Sequence, residues 1–108
     1  MDRVAIASLV RDQGKWLHRF LHGVEHLEHY SLEVSYAFLE GNSRDGSLEL
    51  LGEWLARQKK RGIPFQLRKI DIDRQLETPA RLAFLRNELL KLAGDANYVL
   101  MIDADVVN

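Results

Sequence analysis

The sequence predicts an α/β fold built on a parallel sheet of four strands. Four apolar runs alternate with three amphipathic stretches of helical period, giving the order β-α-β-α-β-α-β. The first run, Val4–Val10, is apolar on both faces, the pattern of a strand covered from both sides rather than one with a wet face. The last run, Tyr98–Ile102, carries no charge until Asp103. Strands that alternate with helices are joined by right-handed crossovers and run parallel.

The elements follow in order. Polar Arg11 to Gly14 break the first strand. From about Lys15 to His29, the residues Trp16, Leu17, Phe20, Leu21, Val24 and Leu27 fall on one helical face. Leu32–Leu39 carries Val34, Tyr36 and Phe38 and reads as a second strand. Glu40 to Gly46 is a turn cluster with two glycines, in which Ser43 or Asp45 is placed to cap the next helix. That helix runs to about Lys60 on an apolar side of Leu48, Leu51, Trp54 and Leu55. Arg57, Lys59, Lys60 and Arg61 sit in its last turn, where cations suit the helix dipole, and Gly62 and Pro64 stop it.

Phe65–Ile70 is the third strand, and Gln66, Arg68 and Lys69 mark it as a sheet edge. Thr78-Pro79 reads as an N-cap followed by proline at the first helical position. Leu82, Leu85, Leu89 and Leu92 continue that helix to Gly94, a C-terminal stop. With helices available to both faces, the architecture is a Rossmann-like three-layer α/β/α sandwich.

Length and charge narrow the function classes. A chain of 108 residues is the size of one small domain, and neither an internal repeat nor a linker interrupts it. Fifteen basic against 16 acidic residues give a net charge of −1, so there is no general pull toward nucleic acid. The absence of cysteine excludes a disulfide scaffold, a thiolate metal site and a cysteine nucleophile, and suits a cytoplasmic setting. No apolar run approaches the roughly 20 residues that span a bilayer. Val4–Val10 lacks the basic start and cleavage site of a signal peptide, so membrane association would come only through parts outside these residues.

In an open parallel sheet, ligands bind beyond the carboxyl ends of the strands, where strand order reverses. The residues that follow the strands are Arg11-Asp12, Glu40-Gly41-Asn42-Ser43, Asp71-Ile72-Asp73 and Asp103-Ala104-Asp105. The last is the strongest signal. Two carboxylates at i and i+2 leaving a wholly apolar strand point to the same side, and their hard oxygens suit Mg²⁺ or Mn²⁺. Asp71 and Asp73 repeat the spacing beside Arg74 after a more polar strand, so that pair belongs to an edge.

His18, His22, His26 and His29 form one stripe on the first helix, nearly opposite Phe20 and Val24, and read as a solvated face. Trp16 and Trp54 fall within or beside apolar faces and read as packing residues. Neither Ser43 nor Ser47 belongs to a hydrolase triad.

The combination of Leu9-Val10-Arg11-Asp12, Glu40-Gly41-Asn42-Ser43-Arg44-Asp45-Gly46-Ser47, Leu85-Arg86-Asn87-Glu88-Leu89-Leu90 and Met101-Ile102-Asp103-Ala104-Asp105-Val106-Val107 resembles the N-terminal, nucleotide-binding half of the GT-A fold glycosyltransferases. The likeness spans essentially the whole chain. The turn after the second strand is similar to that of family 2 enzymes, and the Asp-Ala-Asp-Val-Val ending also resembles the Anp1/Mnn9 mannosyltransferases.

The resemblance implies transfer of a sugar from a UDP- or GDP-sugar, with a divalent cation, Mn²⁺ or Mg²⁺, bridging the diphosphate. Asp105 would ligate the cation, and Asp103 would contact the ribose or the cation through water. Glu40 stands where the family has a shorter aspartate near the nucleobase, with Asn42 in the same turn. Arg86 would pair with the diphosphate or the acidic motif, and Arg11 would contact the diphosphate. A Lewis-acidic cation and a bidentate guanidinium both stabilise a departing nucleoside diphosphate.

Two other readings compete. One is a nucleotide-binding or interaction module of GT-A-like fold without full catalysis. The other is a fragment of a haloacid dehalogenase-type phosphatase, whose Asp-x-Asp motif, however, follows the first strand of its core. The family's sheet order, 3-2-1-4, leaves the fourth strand as an apolar edge. The sequence ends soon after Asp105, so the expectation is a donor-binding half-domain, truncated after its acidic motif and prone to self-association through that edge.

Overall fold

The computed structural model describes residues 3–11, 14–30, 33–41, 43–70 and 78–102. Its elements are β1 (Arg3–Val10), α1 (Gly14–His26), a 3-10 turn (Leu27–Tyr30), β2 (Glu33–Glu40), α2 (Ser47–Lys60), β3 (Phe65–Lys69), α3 (Thr78–Ala93) and β4 (Tyr98–Met101). The four strands form one sheet in the order β3-β2-β1-β4, and every neighbouring pair is parallel. The α/β class and the edge position of β3 are as the sequence pattern predicts, and the strand order is the one the family resemblance implies.

Side-chain alternation along the central strands divides the core in two. Ile6 and Val10 of β1 with Tyr36 and Phe38 of β2 pack against Leu17, Phe20, Leu21 and Val24 of α1 and Leu51, Trp54 and Leu55 of α2. Ala7, Ala37 and Leu39 face the other way, against Leu85 and Leu89 of α3. The two faces differ in bulk. Ala7 and Ala37 are register partners, and their small side chains let α3 lie close to the sheet. The opposite face is filled with rings, with Tyr36 and Trp54 edge-to-face at 4.7 Å between centroids. Full burial of a side chain such as Leu17 or Leu51 contributes about 1.5–3 kcal/mol.

The sheet's two edges are unlike. On β3, Gln66, Arg68 and Lys69 are exposed, and Arg68 pairs with Glu88 of α3. On β4, Tyr98 is 61% exposed, Leu100 43% and Met101 37%.

Three local expectations are corrected. α1 ends at His26 and the chain tightens into a 3-10 turn, rather than remaining α-helical to His29. Trp16 lies at the margin of the α1 face and is 36% exposed, whereas Trp54 is buried. The N-cap of α2 is Gly46, left-handed at φ 87°, and no side chain bonds to the helix start from that position. Asp45, one residue earlier, instead accepts from the backbone N–H of Ser47 at 3.0 Å and from its hydroxyl. His18, His22 and His26 are exposed, as their stripe predicts.

Candidate functional site

The strand order reverses between β1 and β4, so the carboxyl ends of those strands, with that of β2 beside them, are where this architecture builds a site. Backbone hydrogen bonds tie the ends together. Gly41 N–H donates to Val10 O at 2.8 Å, Ile70 N–H donates to Glu40 O at 2.8 Å, and Ile102 N–H donates to Ala7 O at 3.0 Å. The chain therefore leaves β1, β2, β3 and β4 at one rim of the sheet.

Glu40 occupies the last position of β2 and is 1% exposed. Its Oε2 accepts from the backbone N–H of Ser43 at 2.7 Å, so its carboxylate folds back over the turn that it opens. A second carboxylate clasp, Asp45 onto Ser47, closes the other end of the turn at the start of α2. The backbone N–H groups of Ser43 and Ser47 are thus each engaged by a carboxylate through a charge-assisted bond. Spacing alone offered Ser43 as a helix cap; the structure makes its N–H the donor to Glu40. The signal in the sequence is an acid three residues before a serine in a Gly-Asn turn.

Arg11 is half-buried directly after β1, at the rim. Arg86 is exposed, eight residues into α3 and so about 12 Å along its axis. It follows Leu85 by one residue and so lies beside the face that carries Leu85 and Leu89. Asn42, Asp71, Asp73, Asp103 and Asp105 lie outside the described residues. Among the described residues no three or more His, Asp and Glu side chains converge as a metal site. Ser8, in β1 on the same face as Ile6 and Val10, is 1% exposed, and its hydroxyl finds no hydrogen-bond partner among the described residues.

The opposite end of the sheet is locked by a polar network that the sequence reading missed. Trp54 Nε1 and Gln58 Nε2 both donate to Glu25 Oε1, the latter at 2.8 Å. Arg61 donates to Gln58 Oε1 at 2.8 Å and to Glu28 Oε2 at 2.6 Å, while the Tyr36 hydroxyl donates to Glu28 Oε1. Burial pushes the Tyr36 phenol well above its ordinary range. Its bond to Glu28 and the negative charges of Glu28 and Glu25 add to the shift, against a smaller opposing effect of Arg61. This network fastens α1 and α2 to β2 and leaves the carboxyl-end rim to the loops.

No protein-family model matches the chain, and no curated protein sequence does. Among solved structures, the chain is similar to the crystal structure of S. aureus TarS residues 1–349 in complex with UDP. The TM-score is 0.65 at 18% identity, over 97% of this chain and 28% of that one. The chain thus spans under a third of the structure that it matches. No helix among the described residues is long and apolar enough to cross a membrane. The likeness establishes a glycosyltransferase-like α/β fold with the sheet order β3-β2-β1-β4.

Proposed function

We propose that the chain binds a nucleoside-diphosphate sugar, a UDP-sugar before a GDP-sugar, at the carboxyl-end rim, as the donor-binding half of a metal-dependent glycosyltransferase. The observation that carries this reading is the fold it shares over 97% of its length with a protein crystallised with UDP. The reversal of strand order between β1 and β4 supports the same rim. Asp103 and Asp105 follow β4 in sequence and are the residues that would hold a divalent cation. Their carboxylate oxygens form a hard donor set suited to Mg²⁺ or Mn²⁺. Such a cation supplies Lewis-acid stabilisation of the departing diphosphate.

The remaining roles belong to the chain. Arg11, half-buried at the rim, offers a guanidinium to phosphate oxygens. Asn42 in the turn and Arg86 on α3 are the further donor-binding candidates. Titration of the chain with UDP, with and without Mg²⁺, tests the reading. Binding that needs the cation and is lost in Asp105→Ala is the expected result. No UDP or GDP binding under any divalent cation would overturn it, and binding without transfer or hydrolysis would favour the non-catalytic module.

The reading extends to the open edge of β4, where the proposed occupant is a second copy of the chain. β3 presents the cations Arg68 and Lys69, which repel a like edge. Tyr98–Met101 carries no charge, so β4 paired with its own copy sets apolar residues against apolar ones.

A further inference from the structure

We infer that Glu40 is a positioning residue for nucleotide binding: it acts through the Ser43 N–H to hold the Ser43 end of the turn after β2 and does not read the base. This rests on the nucleotide-binding reading above and goes beyond it in assigning how one residue serves the site.

Three observations lead there. Glu40 is 1% exposed, so its carboxylate is withdrawn from the rim that a ligand would approach. Its Oε2 is engaged by the Ser43 N–H at 2.7 Å, within the distance of a charge-assisted bond. Its backbone is held from both sides. Its carbonyl accepts from Ile70 N–H and the next residue donates to Val10 O, each at 2.8 Å, which fixes where the side chain starts.

The chemistry is that of a short tether. An acidic side chain at the end of a strand can curl back over the following turn to a backbone donor three residues on, and Glu40 does so. A buried carboxylate bonded to a backbone N–H gives up that bond only at a cost, because neither group can turn to water instead, so the Ser43 end of the turn keeps one shape. Ser43 is half-buried, and Arg44 and Asp45 are exposed beyond it, so the shape of the turn decides what the rim presents. Substitution at Glu40 should therefore change affinity for every nucleotide by the same factor.

The test uses the full chain and three variants. Glu40→Gln keeps an acceptor of the same length. Glu40→Ala removes it, and Glu40→Met removes it while filling the space should the alanine variant not fold. Hydrogen exchange at the Ser43 amide is read by NMR, and affinities for UDP and GDP are measured with Mg²⁺.

Glu40→Gln should keep the Ser43 amide protected and the UDP-to-GDP ratio unchanged. Glu40→Ala or Glu40→Met should speed Ser43 exchange about tenfold or more and weaken UDP and GDP alike. A UDP-to-GDP ratio shifted about tenfold in Glu40→Gln, with Ser43 still protected, would overturn the inference. So would unchanged Ser43 exchange in both acceptor-free variants. If the wild-type chain binds neither nucleotide, the functional reading fails by that result alone. The Ser43 amide still decides separately whether Glu40 holds the turn.

Discussion

The hydroxyl of Tyr36 donates to one oxygen of Glu28 while Arg61, from the end of α2, donates to the other at 2.6 Å. One carboxylate thus joins the sheet, the 3-10 turn after α1 and the C-terminal end of α2. The pairing also makes stability depend on alkaline pH.

The folded state holds the Tyr36 phenol well above its ordinary range, whereas the unfolded chain releases that proton above about pH 10. Above that point the native state binds more protons than the unfolded state, so stability falls as pH rises. Below it the contribution is fully present. For one proton the slope is about 1.4 kcal/mol per pH unit. Tyr36→Phe removes this slope and leaves Glu28 without one donor. At pH 8 the variant should be less stable by about 1–3 kcal/mol, and by pH 11 the gap should shrink by about 1 kcal/mol. Urea unfolding of both proteins at the two pH values measures this, and a gap that stays constant would remove the assigned cause.

The buried hydroxyl of Ser8 makes an opposite kind of prediction. Ser8 is 1% exposed and its Oγ has no partner among the described residues, so its burial there carries a desolvation cost. That costs about 1–3 kcal/mol on the scale of protein mutations. Ser8→Ala removes the cost and leaves only a small void beside Ile6 and Val10, which share its face. The variant should equal the wild type or exceed it by about 1 kcal/mol. Loss of more than about 1 kcal/mol in urea unfolding would show that the hydroxyl is satisfied after all.

Layering was legible because period and burial are local: Val4–Val10 is apolar on both faces and sits between β2 and β4. The strand order itself is non-local and came with the family resemblance. The polar residues of β3 announced an edge for the same reason. The lock around Tyr36 was not legible, because it joins residues 25, 28, 36, 54, 58 and 61, whose meeting depends on how α1 and α2 pack. Glu40 shows the limit within the site. Its position at the end of β2 follows from the pattern, but its direction is a rotamer choice, and only the fold shows that it turns toward Ser43. Trp16 differs from Trp54 in a similar way, since both lie near apolar faces and only packing decides which is covered.

The proposed self-association through β4 rests on the contrast between the sheet's edges among the described residues. Unpaired strand N–H and C=O groups flanked by apolar side chains template another strand, and charge on the edge suppresses this. Leu100 is 43% exposed and its register partner in β1 is Ile6, so it stands beside the open edge without supporting the α3 face. Leu100→Lys places a cation there while leaving the β1–β4 backbone pairing intact. Sedimentation velocity over about a hundredfold range of concentration should show the wild-type chain moving from monomer toward dimer. The variant should remain monomeric across the same range with an unchanged circular dichroism spectrum. A wild-type chain that stays monomeric at the highest concentration would remove β4 as a self-pairing edge. Equal association of both proteins would place the contact elsewhere, on a surface that Leu100 does not reach.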